Sequence, residues 1–132
     1  QAGVFRSTDG GNNWTAASTG LTNLVVYSLG VNGTTIFAGT ANGLFRSTDN
    51  GANWALANTG LSLAVVACFA PSGHSLFIGT GFGGVFRTLN NGTLWTPFSE
   101  GLTNPFVKAL AVNGNILVAG TIGSSVFTRP LP

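Results

Sequence analysis

Ser7-Thr8-Asp9-Gly10-Gly11-Asn12-Asn13-Trp14 returns 40 residues later as Ser47-Thr48-Asp49-Asn50-Gly51-Ala52-Asn53-Trp54. It returns again after 41 residues, in worn form, as Thr88-Leu89-Asn90-Asn91-Gly92-Thr93-Leu94-Trp95. A fixed period of about 40 residues built from short apolar runs is the mark of stacked β units such as propeller blades. The copies align beyond the octapeptide. Val4-Phe5-Arg6 matches Leu44-Phe45-Arg46, Val85-Phe86-Arg87 and Val126-Phe127-Thr128. Gly20-Leu21 matches Gly60-Leu61 and Gly101-Leu102, and Gly39-Thr40 matches Gly79-Thr80 and Gly120-Thr121.

Each unit reads as four strands. In the second, Leu24 to Val31 is an apolar, β-branched run that predicts a buried strand. Asn32-Gly33 predicts a hairpin turn because both residues tolerate positive φ. Thr35 to Thr40 is the return strand, Leu44 to Thr48 the third, and Trp54 to Asn58 a more polar fourth at the outer edge. No window sustains a helical apolar period, and glycine is too frequent for long helices. The expected fold class is all-β: propeller-type four-stranded blades, about three per chain, with incomplete blades at both ends.

The octapeptide falls between the third and fourth strands, and its chemistry suits a turn. The Asp carboxylate can accept hydrogen bonds from N–H groups ahead of it. The Gly supplies a backbone conformation closed to other residues. The Trp can bury its ring between sheets while its indole N–H finds a carbonyl. Asn90 stands where the other copies have Asp9 and Asp49. It keeps the acceptor and loses the charge, which a turn tolerates and a catalytic carboxylate would not. The structural set is therefore Ser7, Asp9, Gly11, Trp14; Ser47, Asp49, Gly51, Trp54; and Thr88, Asn90, Gly92, Trp95.

This pattern resembles the Asp-box, or BNR repeat, of sialidase-like β-propellers, with related repeats in sortilin-type receptors and photosystem assembly factors. The resemblance covers nearly the whole chain, with two full boxes and a degenerate third. It implies a box that is a structural turn remote from any ligand site. Sialidase chemistry, as the family implies it, needs three arginines for a substrate carboxylate, a Tyr nucleophile paired with Glu, and an acid/base Asp. Arg6, Arg46, Arg87, Tyr27, Glu100 and Asp9 are the available parts. The three arginines share one repeat column directly before the octapeptide, so convergence on one ligand is not implied. Asp9 belongs to a turn, and Ala67 and Lys108 stand in the column of Tyr27. Arg6, Arg46 and Arg87 are retained as candidate ligand-facing residues. The alternative is structural: they cap the turn or cover apolar surface with their stems. No catalytic residue is assigned.

Composition narrows the role. Only 6% of the 132 residues are charged, against roughly 25% in an ordinary soluble domain. Mean hydropathy is +0.37. Apolar or neutral surface is then expected to meet other chains. The net charge of +2 comes from scattered residues with no basic run, which argues against nucleic acid. The longest apolar run, Leu63 to Ala70, is far short of a membrane span. The sequence contains no methionine. Its start at Gln1-Ala2 fits signal-peptide cleavage or excision from a longer chain. Cys68, alone in an apolar run, reads as a buried structural thiol. His74, alone in a hairpin turn, has no companion at metal-ligand spacing. No segment has the dense carboxylates of a calcium loop, and Gly81-Phe82-Gly83-Gly84 lacks the Lys and helix of a phosphate loop. No cofactor or metal is expected. The sequons at Asn13, Asn32 and Asn91 are explained by how common Asn, Gly and Thr are here. Phe5, Phe45, Phe86 and Phe127 recur in register, as core positions or as a sugar-stacking platform.

Laid along the chain, the period divides it at 1–22, 23–61, 62–102 and 103–129: two strands, two blades of four, then three strands. Pro130 and Pro132 are expected to stop further pairing. Three blades cannot comfortably close a ring, since propellers use about four to eight, and each unfinished sheet exposes pairing groups. Complementation between copies, or the chain being a piece cut from a longer propeller, resolves this. The function expected is a secreted, non-enzymatic structural or adhesive protein. It would associate head to tail with copies of itself: two chains would close a six-bladed ring, and a rotation that does not close would give a filament. The alternative is a carbohydrate-binding or sialidase-like propeller, present as a fragment or half-propeller, with extracellular glycans as partners.

Overall fold

The computed structural model describes residues 2–62, 65–123 and 125–132. Gln1, read above as a processed start, and Leu63 and Ala64, which open the longest apolar run, lie outside the described residues. The described residues contain thirteen strands and no helix. They form antiparallel sheets of two, four, four and three strands. Blade 1 is β1 (Phe5–Arg6) with β2 (Thr15–Ala16). Blade 2 runs β3 (Val26–Asn32), β4 (Thr35–Thr40), β5 (Gly43–Ser47) and β6 (Ala55–Leu56). Blade 3 repeats this as β7 (Val66–Ser72), β8 (Ser75–Thr80), β9 (Gly84–Thr88) and β10 (Thr96–Pro97). Blade 4 is β11 (Val107–Asn113), β12 (Ile116–Thr121) and β13 (Val126–Pro130). Strand order follows chain order in every sheet, as expected of a meander.

The hairpins are one residue out of place relative to the expectation. Asn32 pairs with Thr35, so the loop is Gly33-Thr34 and only Gly33 has positive φ, at 59°. A glycine at the first loop position gives the turn whose twist matches the strands. The fourth strands are shorter than expected, two residues each; Trp54 and Trp95, expected to begin two of them, turn their backbone N–H to the neighbouring blade. Pro130 does not end the pairing: it lies opposite Ile116, and Leu131 N–H donates to the Asn115 carbonyl. β13 is an edge strand, where a missing N–H costs nothing.

The core consists of seams between blades. Val4 and Ala17 of blade 1 meet Ala38, Phe45 and Trp54 of blade 2. Phe37, Leu44 and Ala57 of blade 2 meet Val66, Leu76, Ile78, Phe86 and Trp95 of blade 3. Ala70, Phe77 and Val85 of blade 3 meet Val107, Leu117 and Ala119 of blade 4. Strands β3, β7 and β11 stand side by side along one margin, with Ser28 Oγ donating to the Val66 carbonyl at 2.6 Å. β7 is flanked by β3 and β11. β3 is flanked by β7 alone, because blade 1 contributes only β1 and β2 among the described residues, which corrects the expectation of a buried run over Leu24 to Val31: Leu24, Val25, Tyr27, Leu29 and Val31 are all exposed.

Candidate functional site

The octapeptide turns follow the chemistry expected of them. Ser7 Oγ donates to Asp9 Oδ1 at 2.7 Å and accepts from Gly11 N–H at 2.8 Å. Asp9 Oδ1 accepts from Asn13 N–H, and Asp9 Oδ2 accepts from the Asn13 side-chain amide at 2.7 Å. Ser47, Asp49, Gly51 and Asn53 repeat every bond. Both carboxylates are held at a pKa of about 2, chiefly by the Asn13 or Asn53 side-chain amide and then by that residue's backbone N–H. Thr88, Asn90 and Gly92 keep the one-oxygen part of the network. Where Asn90 lacks the second carboxylate oxygen, Leu94 lacks the amide that would have used it. Two consecutive residues in each turn have positive φ, such as Asn50 at 56° and Gly51 at 81°.

The turns serve a grip between blades. Trp54 Nε1–H donates to the Ala17 carbonyl at 2.8 Å, and Trp54 N–H donates to the Thr19 carbonyl. One period later, Trp95 Nε1–H donates to Ala57 at 3.0 Å and Trp95 N–H to Thr59. Gly20 and Gly60 permit the approach: a Cβ at either would strike the carbonyl of the seated Trp. The arginines close the same grip from the other side. Arg6 donates to the Asn50 carbonyl at 2.9 Å, and Arg46 to the Asn91 carbonyl at 2.7 Å and to Thr93 Oγ1. Arg6 and Arg46 each clamp the turn of the following blade.

The three candidate arginines are thus not brought to a common point. Arg87 lies over the Phe98 ring, 5.0 Å from its centroid, and its Nε, like that of Arg6, is buried without an acceptor. Glu100 pairs with Arg129 in the seam between blades 3 and 4. Asp9 is taken up in its turn, and Tyr27 lines a different surface. Trp14 departs from the expectation that it is a packing anchor. Its ring is 63% exposed, and its indole N–H turns back to the Gly11 carbonyl.

The sequence reading missed a concavity of about 870 Å³ whose lining includes Tyr27, Ala67, Lys108, Phe82, Asn104 and Phe106. The pairing of the first strand of blades 2, 3 and 4 slips by one residue, at Val26/Ser28, Val66/Cys68 and Val107/Ala109. The skipped residues are Tyr27, Ala67 and Lys108. Bulges re-aim side chains, and these three face one hollow. Phe82 and Phe106 meet edge to face at 5.2 Å beside it. The unequal chemistry of this column was visible in the sequence; the register slip that aims it was not.

Cys68 is half-buried beside the seam of blades 3 and 4, and burial pushes its thiol up to about 11. That makes it a poor nucleophile. Among the described residues no group of His, Cys, Asp or Glu is placed to hold a metal, and no helix is long and apolar enough to cross a membrane.

The sequence matches no protein-family model and no curated protein. Solved structures do match. The computationally designed Ika4 protein superposes with a TM-score of 0.63 at 15% identity, over 81% of this chain and 66% of that one. YCF48 from Cyanidioschyzon merolae gives 0.62 at 13% identity, over 79% of this chain and 33% of that one. YCF48 bound to D1 peptide gives 0.58 at 17%, over 94% and 43%. These likenesses show a propeller-like fold, of which the chain spans a part.

Proposed function

We propose that the octapeptide is an Asp-box and that the chain is a non-enzymatic structural or adhesive module, acting outside the cell, that associates head to tail with copies of itself. The observation that supports this reading is a pair of exposed apolar faces on a chain with few charges. The β3 face of Tyr27, Leu29 and Val31 is open on one side, and blade 4, with Ile116 and Val126 exposed, is open on the other. With so few charges to keep such faces in water, contact with another chain is the favourable way to cover them. Arg6 and Arg46 already serve the neighbouring turns, which weighs against a carboxylate-binding cluster. Light scattering on the purified chain tests the reading. Particles of at least two chains at micromolar concentration are expected, and a monomer at every concentration contradicts it.

A second reading, carbohydrate binding, rests on the hollow beside Tyr27, Phe82 and Phe106, since sugars stack on exposed aromatic rings. A glycan array separates the two: saturable binding lost in Phe82→Ala favours this reading, and an empty array disfavours it.

A further inference from the structure

The grip between blades occurs twice within the chain, and its two halves occur once more, apart. The accepting half in blade 1 is Arg6, the Ala17 and Thr19 carbonyls and Gly20. In blade 2 it is Arg46, the Ala57 and Thr59 carbonyls and Gly60. One period on, blade 3 carries Arg87, the Phe98 and Glu100 carbonyls and Gly101. No tryptophan is seated there: a Cβ at Gly101 would meet nothing within 4 Å. Where the indole belongs there is a cavity of about 70 Å³, whose lining includes Val85, Phe98, Ala119 and Phe127. These are the repeat equivalents of Leu44, Ala57, Ile78 and Phe86 in the cluster of Trp95, and of Val4, Ala17, Ala38 and Phe45 in that of Trp54. The inserting half, Trp14 with the Gly10 carbonyl, lies exposed at the opposite end.

We infer that these halves mate between copies. β1, its turn and β2 of one chain take the place of β13 on β12 of another, seat Trp14 in the cavity, and offer the Gly10 carbonyl to Arg87. This rests on the self-association proposed above and assigns its interface. The second copy is the occupant because it carries the same turn that fills the equivalent site twice within one chain. β13 is the strand to leave. It occupies the same repeat column as β1 but lacks the turn. It is an edge, and Arg129, stacked on Phe98 at 3.9 Å and paired with exposed Glu100, covers the cavity. An exposed pair of this kind holds weakly. The composite sheet β11-β12-β1-β2 then has four strands. It also sets β11 of one copy beside the open face of β3 in the next, as β7 lies beside β3 within the chain. The contact is heterologous, so it propagates until rotation closes it.

Trp14→Ala and Gly101→Asn each remove one half. Asn is chosen because Asn50 and Asn91 already hold positive φ in this chain, so the variant keeps its fold while its side chain blocks the seat. Sedimentation velocity should show each variant associating about 30-fold or more weakly than the wild type, as for a buried aromatic hot spot. Mixed in equal amounts, the two variants retain one good junction between them and should form heterodimers and nothing larger. Hydrogen exchange over 126–130 should rise on wild-type assembly as β13 is released. Wild-type assembly that survives both substitutions overturns this interface and leaves head-to-tail association by another surface. A wild type that is monomeric throughout overturns both. Failure of the mixture to dimerise overturns the pairing of these two halves.

Discussion

At the scale of single residues, the turns separate charge from shape. Asp49 uses both carboxylate oxygens, one on the Asn53 side-chain amide. Asp49→Asn sets one amide group against another, so its melting temperature should fall; Asp49→Asn with Asn53→Leu copies the third turn and should recover it. Equal melting temperatures for the two variants would contradict this account. The folded-state pKa of Asp9 and Asp49 is lowered from 3.8 to about 2. Each carboxylate therefore stabilises the fold fully above pH 4, and that stabilisation is lost as pH falls toward 2. Thermal melts between pH 5 and 2 should show this acid loss in the wild type and a smaller one in Asp9→Asn/Asp49→Asn. The acceptor role was legible in the sequence, because Asn90 stands where the other copies have Asp and keeps the oxygen that the turn uses. The role of the arginines was not. A repeat column gives the same residue in each blade without saying which blade it touches, and only the fold shows that Arg46 reaches forward to Asn91.

Among the elements, the seams decide stability. Trp95 is 1% exposed between blades 2 and 3 and Trp14 is open to solvent. Trp95→Ala should cost about 3–5 kcal/mol in urea unfolding, the usual loss for a deleted core aromatic. Trp14→Ala in dilute protein should change stability by no more than about 0.5 kcal/mol. A large loss from Trp14→Ala at concentrations where the protein is monomeric would mean that the ring packs within the chain. Arg46→Ala removes a charged hydrogen bond at a half-exposed site and should cost about 1–2 kcal/mol. Strand number, order and hairpin spacing were legible, since glycine punctuation and apolar runs recur in step. Two features were not. The bulges at Tyr27, Ala67 and Lys108 slip by one residue without any fixed residue type to mark them. The exposure of β3 depends on whether another first strand lies on its far side, which the residues of β3 do not state.

For the whole molecule, the repeat acts as a ruler whose phase matters more than its motif. It places an inserting half at one end and an accepting half at the other, with two complete examples of the mated pair between them. The proposal of complementation starts from strand count, which the sequence shows; the assignment of β13 as the strand to leave rests on the Trp, Arg and Gly contacts, which it does not. The most direct test of this account labels the chain with 5-fluorotryptophan and follows its fluorine spectrum with dilution, assigning Trp14 by its loss in Trp14→Phe. On concentration, the Trp14 resonance should move away from its solvent-exposed position and lose its H2O/D2O isotope shift, while those of Trp54 and Trp95 stay fixed. A Trp14 resonance that keeps the same position and the same isotope shift from the most dilute to the most concentrated sample would contradict it.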